Sequence, residues 1–174
     1  LDPNRPDEMY SLTGQSTIAK TSAEVIEVHL DPPDPPASPS VLEAIETSDV
    51  LVLGPGSWFT SVMPHLLVPQ IVEAIMDSDA LRILTLNVAG ADETNGFSPA
   101  RHLEVLAEHE PRIRFDVVLA DRSFARSDPH LGTFARNLGA RIVEADLAMH
   151  DGSARHDPLR LASAYAEVMG VHIR

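Results

Sequence analysis

The stretch Asp49-Val-Leu-Val-Leu-Gly-Pro-Gly-Ser57 constrains the fold of this chain more than any other. Val50 to Leu53 is short and wholly apolar, the pattern of a strand buried on both faces of a parallel sheet. The run stops at Gly54-Pro55-Gly56. Glycine turns the chain at φ values other residues avoid, and proline fixes the φ between the two glycines. Ser57 then stands at a helix N-cap position, its hydroxyl placed to take a backbone N–H, with Trp58-Phe-Thr-Ser-Val-Met-Pro64 following. A strand, a glycine turn and a helix start in succession aim N–H groups at one point, a geometry suited to phosphate or another anion. The same residues also make a plain β-to-α turn with no ligand, and both readings stay open here.

From Ser40 onward, strands and helices alternate. Ser40–Thr47 reads as a short amphipathic helix leading into the 49–53 strand. Pro69 opens a helix over Gln70–Asp77, and Arg82–Asn87 is the next strand. Ser98-Pro99 starts a helix to about Glu110, Phe115–Ala120 is a third strand, and Pro129–Leu138 a helix closed by Gly139. Ala140–Glu144 is a further strand, and Asp157-Pro158 opens a last helix to about Met169. Upstream, Leu1–Tyr10 reads as a loop, with β-rich pieces around Ser16–Ile18 and Glu24–Leu30. In the second piece Val25, Glu27 and His29 alternate against Ile26, Val28 and Leu30. The Pro-rich stretch 31–39 is a stiff connector. This alternation predicts a single α/β domain, three layers deep (α/β/α), with a mainly parallel sheet and right-handed crossovers. Ligands of such sheets sit beyond the C-terminal strand ends. Gly54–Ser57, Asn87–Gly96 and the loop after Ala120 should therefore converge on one rim.

Composition narrows the partners. The 174 residues carry 13 Lys+Arg against 26 Asp+Glu, a net charge of −13. A field of that sign repels nucleic acid and anionic membranes, so neither is expected as a partner. Lys20 is the only lysine, so local positive charge for a phosphate must come from arginine. With no cysteine, disulfides and thiolate chemistry are excluded. No apolar segment approaches a membrane span, and a cytoplasmic location is the default expectation. The eight histidines form no His-x-x-x-His or Glu-x-x-His pattern, so no transition-metal site is expected.

Candidate ligand groups cluster on the predicted rim. Thr60 and Ser61 lie three and four residues past Ser57, one helical turn away, and could reach the same anion. Asn87 ends a strand, and the loop with Asp92, Glu93 and Thr94 could serve Mg²⁺ or ribose hydroxyls. Solvated loop carboxylates are the alternative. Ser57 is not in a Gly-x-Ser-x-Gly elbow and no histidine is singled out as its base, so no catalytic residue is assigned. Trp58 and Phe59 suit a core or an interface between copies in a homo-oligomer. In Arg155-His156-Asp157, Asp157 is placed to cap the final helix. A charge at a helix N-terminus gains about 0.3–1 kcal/mol, up to about 2 when partly buried. Micromolar binding needs about 8 kcal/mol. The glycine turn can orient a diphosphate, but most of the affinity must come from elsewhere.

Asp49 to Pro69, together with Gly14-Gln-Ser16, Asn87, Glu93-Thr-Asn-Gly-Phe-Ser-Pro-Ala-Arg-His102 and Arg155-His-Asp-Pro158, resembles the gluconeogenesis factor (YvcK-type) family of the CofD-like superfamily. The resemblance implies a Rossmann-like protein that binds UDP-sugars such as UDP-N-acetylglucosamine and affects carbon metabolism and cell-wall synthesis or cell shape. No catalytic turnover or obligate cofactor attaches to that type. It implies a nucleotide-sugar role for Arg155, beside Gly54, Pro55, Gly56, Ser57, Thr60, Ser61, Asn87, Glu93 and Thr94. The transferase relatives instead act on a phosphorylated lactate compound with Mg²⁺ and a deazaflavin acceptor. The family's Gly-rich N-terminal strand-turn has no counterpart here, so the resemblance implies the C-terminal half of a longer protein. The loop before Glu93 is a residue shorter than is common in the family, Asn95 stands where aspartate is usual, and Pro158 replaces a threonine that is regulatory in some relatives.

Overall fold

A computed structural model describes residues 10–172, apart from 22–24, 26 and 91. Four parallel strands form one sheet in the order β1 (Val50–Leu53), β2 (Leu81–Thr85), β3 (Val117–Asp121), β4 (Arg141–Ala145). Leu53 pairs with Leu84, Thr85 with Leu119, and Asp121 with Ala145, so the strands end together on one rim.

Among the described residues seven α-helices accompany the sheet: α1 (Gln15–Ile18), α2 (Pro39–Glu46), α3 (Pro69–Asp77), α4 (Pro99–His109), α5 (Arg122–Arg126), α6 (Leu131–Asn137) and α7 (Pro158–His172). Successive strand side chains point to opposite faces, which divides the core in two. On one face Leu84 and Val118 pack with Val72 of α3, Leu103 and Leu106 of α4, and Leu131 and Ala135 of α6. On the other, Ile83, Val117 and Leu119 meet Ala164 and Val168 of α7. Full burial of each large aliphatic side chain stabilises by roughly 1.5–3 kcal/mol. The expected α/β architecture with a parallel sheet is the one observed.

Two expectations fail upstream. Gln15–Ile18 is a helical turn and not a strand, anchored by the N–H groups of Thr17 and Ile18 on the Gly14 carbonyl. Among the described residues of 24–30 no strand forms either. β propensity expresses itself only against a partner edge, and these residues have no place in the ladder. The alternation survives without pairing: Val28 is buried while Glu27 and His29 are exposed. The loop expected at the chain start falls mostly outside the described residues, as do Glu24 and Ile26.

No single described helix is long and apolar enough to cross a membrane. The bent pair Trp58–Leu67 and Pro69–Asp77 has the composition for it, but Trp58, Phe59, Val62, Met63 and Val72 are buried in the core.

Candidate functional site

At the end of β1, Gly54 adopts φ 78°, and a Cβ there would lie 2.6 Å from the Thr85 carbonyl oxygen. Only glycine fits that left-handed, crowded position. The next glycine is held from a neighbouring strand end. Asn87 Oδ1 accepts from the Gly56 N–H at 3.2 Å, while Asn87 Nδ2 donates to the Gly56 carbonyl at 2.9 Å. A carboxamide alone offers donor and acceptor side by side, which explains an asparagine here.

After the turn the chain coils into a π-helical segment, Trp58–Val62, continued by a 3₁₀ segment, Met63–Leu67. The expected cap role of Ser57 is corrected here, because its side chain takes no backbone N–H. Glu93, in the 3₁₀ turn Asp92–Thr94, does so instead. Its Oε1 accepts from the Phe59 N–H at 2.9 Å and from the Ser57 hydroxyl at 2.6 Å. Ser57 Oγ also contacts Thr60 Oγ1, and Gln15 donates to the Thr60 carbonyl at 3.3 Å. Glu93 is only 5% exposed, and its Oε2 is buried with no partner. The Asp92 side chain lies outside the described residues.

A cleft of about 410 Å³ opens over this turn. Pro55, Gly56, Ser57, Asn87, Glu93, Thr94 and Arg155 all line it, so seven of the ten expected residues converge. Gly54 and Thr60 do not reach its surface, nor does the exposed Ser61. Trp58, expected in a core or an interface, and His156, expected only as a neighbour of Arg155, also line it.

Arg155 presents its guanidinium with 73% of the side chain exposed, held loosely by Asp151 at 3.4 Å and the Ser153 hydroxyl at 3.3 Å. Hydrogen bonds from Ser153, then the pairing with Arg155, keep Asp151 below the usual carboxylate range. Burial pushes the neighbouring His156 below the ordinary histidine range, against opposing pulls from the Leu86 carbonyl and Asp121. His156 Nε2 is buried without a partner. As expected, Asp157 caps α7, accepting from the N–H groups of Leu159 and Arg160.

Two supporting residues were not among the expected site residues. Asp121, 3% exposed, accepts four backbone N–H bonds. Its Oδ1 takes Ser123 at 2.8 Å and Phe124 at 3.3 Å, capping α5. Its Oδ2 takes Leu147 at 2.9 Å and Ala148 at 3.1 Å. Ala148 in turn bridges to His156, so this carboxylate positions the loop that carries Arg155. An aspartate closing the apolar run Val117–Ala120 was the one available hint. His102 is fully buried, its Nδ1 donating to the Ser98 carbonyl at 2.8 Å. The rings of Trp58, Phe97 and Phe124 stand edge-on around it, at 4.9, 5.4 and 5.9 Å. Burial lowers its basicity against the pull of the Ser98 carbonyl, which favours the neutral ring behind Trp58.

A second opening of about 520 Å³ on the same rim is lined by Arg122, Arg126, Asp146 and His150, among others. Most of its charges are already paired, Arg126 with Glu144 and Asp146 with Arg160 and His150. The smaller cleft, with unmet polar atoms in its walls, is the stronger candidate. A divalent cation needs several oxygen ligands. Among the described residues no three His, Asp or Glu side chains converge.

Fold and cleft together define an α/β protein with an open cleft at the carboxyl ends of parallel strands, the place where sheets of this kind take their ligands. The chain belongs to the CofD family, whose model, described as 2-phospho-L-lactate transferase CofD, matches residues 6–157. It is 43% identical over 157 residues to a Mycobacterium leprae protein and 44% identical over 156 residues to one from Mycobacterium tuberculosis, both provisionally named gluconeogenesis factor. These matches cover 88% and 87% of this chain but 44% and 45% of the relatives, so the chain spans less than half their length. Among solved structures it resembles a UPF0052-family protein of Bacillus halodurans, with a TM-score of 0.73 and 30% identity, over 88% of this chain and 54% of that one.

Proposed function

We propose that this chain contributes a nucleotide-sugar site to a cytoplasmic regulatory protein of the gluconeogenesis factor type, and that the ligand is a UDP-sugar such as UDP-N-acetylglucosamine. In this reading the protein links that ligand to carbon metabolism and to cell-wall or cell-shape control without turning it over. The observation that carries it is the strand-end cleft, where an exposed, loosely held Arg155 shares a wall with Glu93 and the Asn87-clamped turn. Arginine is the side chain best suited to a diphosphate, and carboxylates and carboxamides are the usual partners of sugar hydroxyls. Relatives with the gluconeogenesis factor name support the link to carbon metabolism.

The test is calorimetric titration of the full-length protein with UDP-N-acetylglucosamine, beside Arg155→Ala. A charge-assisted contact contributes about 1.5–3 kcal/mol, so the variant should bind roughly 10- to 100-fold more weakly. Equal affinity would remove Arg155 from the site, and absence of any UDP-sugar binding by the unaltered protein would remove the reading. The description of the matching family favours a second reading, a phospho-lactyl transferase. Turnover of a phosphorylated lactate compound with a deazaflavin acceptor and Mg²⁺ would establish it.

A further inference from the structure

Six buried side-chain polar atoms lack a partner among the described residues, and three of them belong to residues lining the one cleft: Trp58 Nε1, Glu93 Oε2 and His156 Nε2. Native proteins leave few such groups unmet, and those they leave call for a use. The chemistry of the three is specific. The Trp58 indole N–H can only donate. The Glu93 carboxylate can only accept, and its other oxygen already serves Phe59 and Ser57. His156 gives its other ring nitrogen to the Leu86 carbonyl, which leaves Nε2 as an acceptor in the neutral ring. Groups that met all three would have to both donate and accept. Hydroxyls do both; an ionised phosphate only accepts.

The Phe59 N–H is the other half of the argument. An anion at this helix start would seek that group, and the protein's own carboxylate already holds it, with Glu93 95% buried by its 5% exposure. A phosphate there would face a fixed negative charge in a water-poor wall. We propose that Glu93 is the specificity-determining residue of the cleft: it receives the hydroxyls of the sugar ring beyond the diphosphate and bars phosphate from the Gly54–Ser57 turn, leaving the ligand's charged part to Arg155. The proposal rests on the nucleotide-sugar reading and reverses the orientation expected from the glycine turn alone.

The test uses the full-length protein and Glu93→Gln, which keeps the size and one acceptor but loses the charge. Titrations with UDP-N-acetylglucosamine and with UDP are compared. The variant should lose roughly tenfold for the sugar nucleotide, because charge-assisted hydrogen bonds are about twice as strong as neutral ones, and change by less than about twofold for UDP. An equal loss for both ligands, or tighter binding of both, overturns the assignment. A crystal structure of the unaltered protein with UDP-N-acetylglucosamine decides independently of the variant's folding. A hydroxyl of the N-acetylglucosamine ring on Glu93 upholds it, and a ribose hydroxyl there or a phosphate oxygen on the Phe59 N–H overturns it. If the unaltered protein binds no UDP-sugar, the nucleotide-sugar reading falls on its own. Glu93 is then judged by the Phe59 amide resonance under pyrophosphate. A shift in Glu93→Ala but not in the unaltered protein upholds phosphate exclusion; a shift in the unaltered protein, or in neither, overturns it.

Discussion

Replacing Asp121 by asparagine probes how the cleft is held together. The carboxylate accepts four backbone N–H bonds, two to α5 and two to Leu147 and Ala148, and is 3% exposed. Asparagine keeps one acceptor oxygen and turns the other position into an NH₂ group facing two N–H donors. Hydrogen bonds to a charged group contribute about 1.5–3 kcal/mol each, and a buried donor left unmet costs about 1–3 kcal/mol. Losing two of the four should therefore destabilise the protein by about 3–5 kcal/mol, a large part of the roughly 5–15 kcal/mol that holds a domain folded. Urea unfolding should show the midpoint falling by about 2 M for a slope near 2 kcal/mol/M. Hydrogen exchange should quicken first at Leu147 and Ala148 if the amide keeps its oxygen toward α5. A loss under about 1 kcal/mol, with both amides as protected as before, would refute the reasoning.

Gly54→Ala should cost roughly 2–4 kcal/mol, combining the left-handed φ of 78° with a Cβ 2.6 Å from the Thr85 carbonyl oxygen; an unchanged melting temperature would show that the turn relaxes freely. Stability should also fall on acidification. Burial lowers the folded-state pKa of His102 and His156 below the unfolded value of about 6.5. Their contribution is complete above that pH and is lost as pH falls below it, because the unfolded chain takes up protons the folded chain refuses. The slope from each histidine is bounded by about 1.4 kcal/mol per pH unit, with more expected from buried His102 than from half-buried His156. Unfolding midpoints at pH 7.5, 6.5 and 5.5 check this, and His102→Gln should flatten the slope; an equal slope in that variant would count against it.

Periodicity and glycine placement carried much of the architecture. All four strands of the sheet were legible as apolar runs with turn signals at their ends, as were α2, α3, α4, α6 and α7. The short α5 was not, because five residues between Asp121 and Ser127 hold too little periodicity to register. The β-rich pieces at 16–18 and 24–30 misled for the opposite reason, since propensity was present and a partner edge was not. Seven of the ten expected site residues share the cleft, because strand ends of a parallel sheet must meet on one rim whatever the details of the loops.

The chain by itself determined an α/β alternation, a glycine turn after the first strand, and a rim where polar loops gather, because these depend on residues a few positions apart. What those residues do to one another was decided by tertiary structure. Asn87 meets Gly56 from 31 positions away, Glu93 meets Phe59 from 34, and Asp121 meets Leu147 from 26. Each pairing follows from strand register and loop length acting together, and no local pattern encodes it. The helix start that reads as an open anion site is, in the fold, already filled by a glutamate.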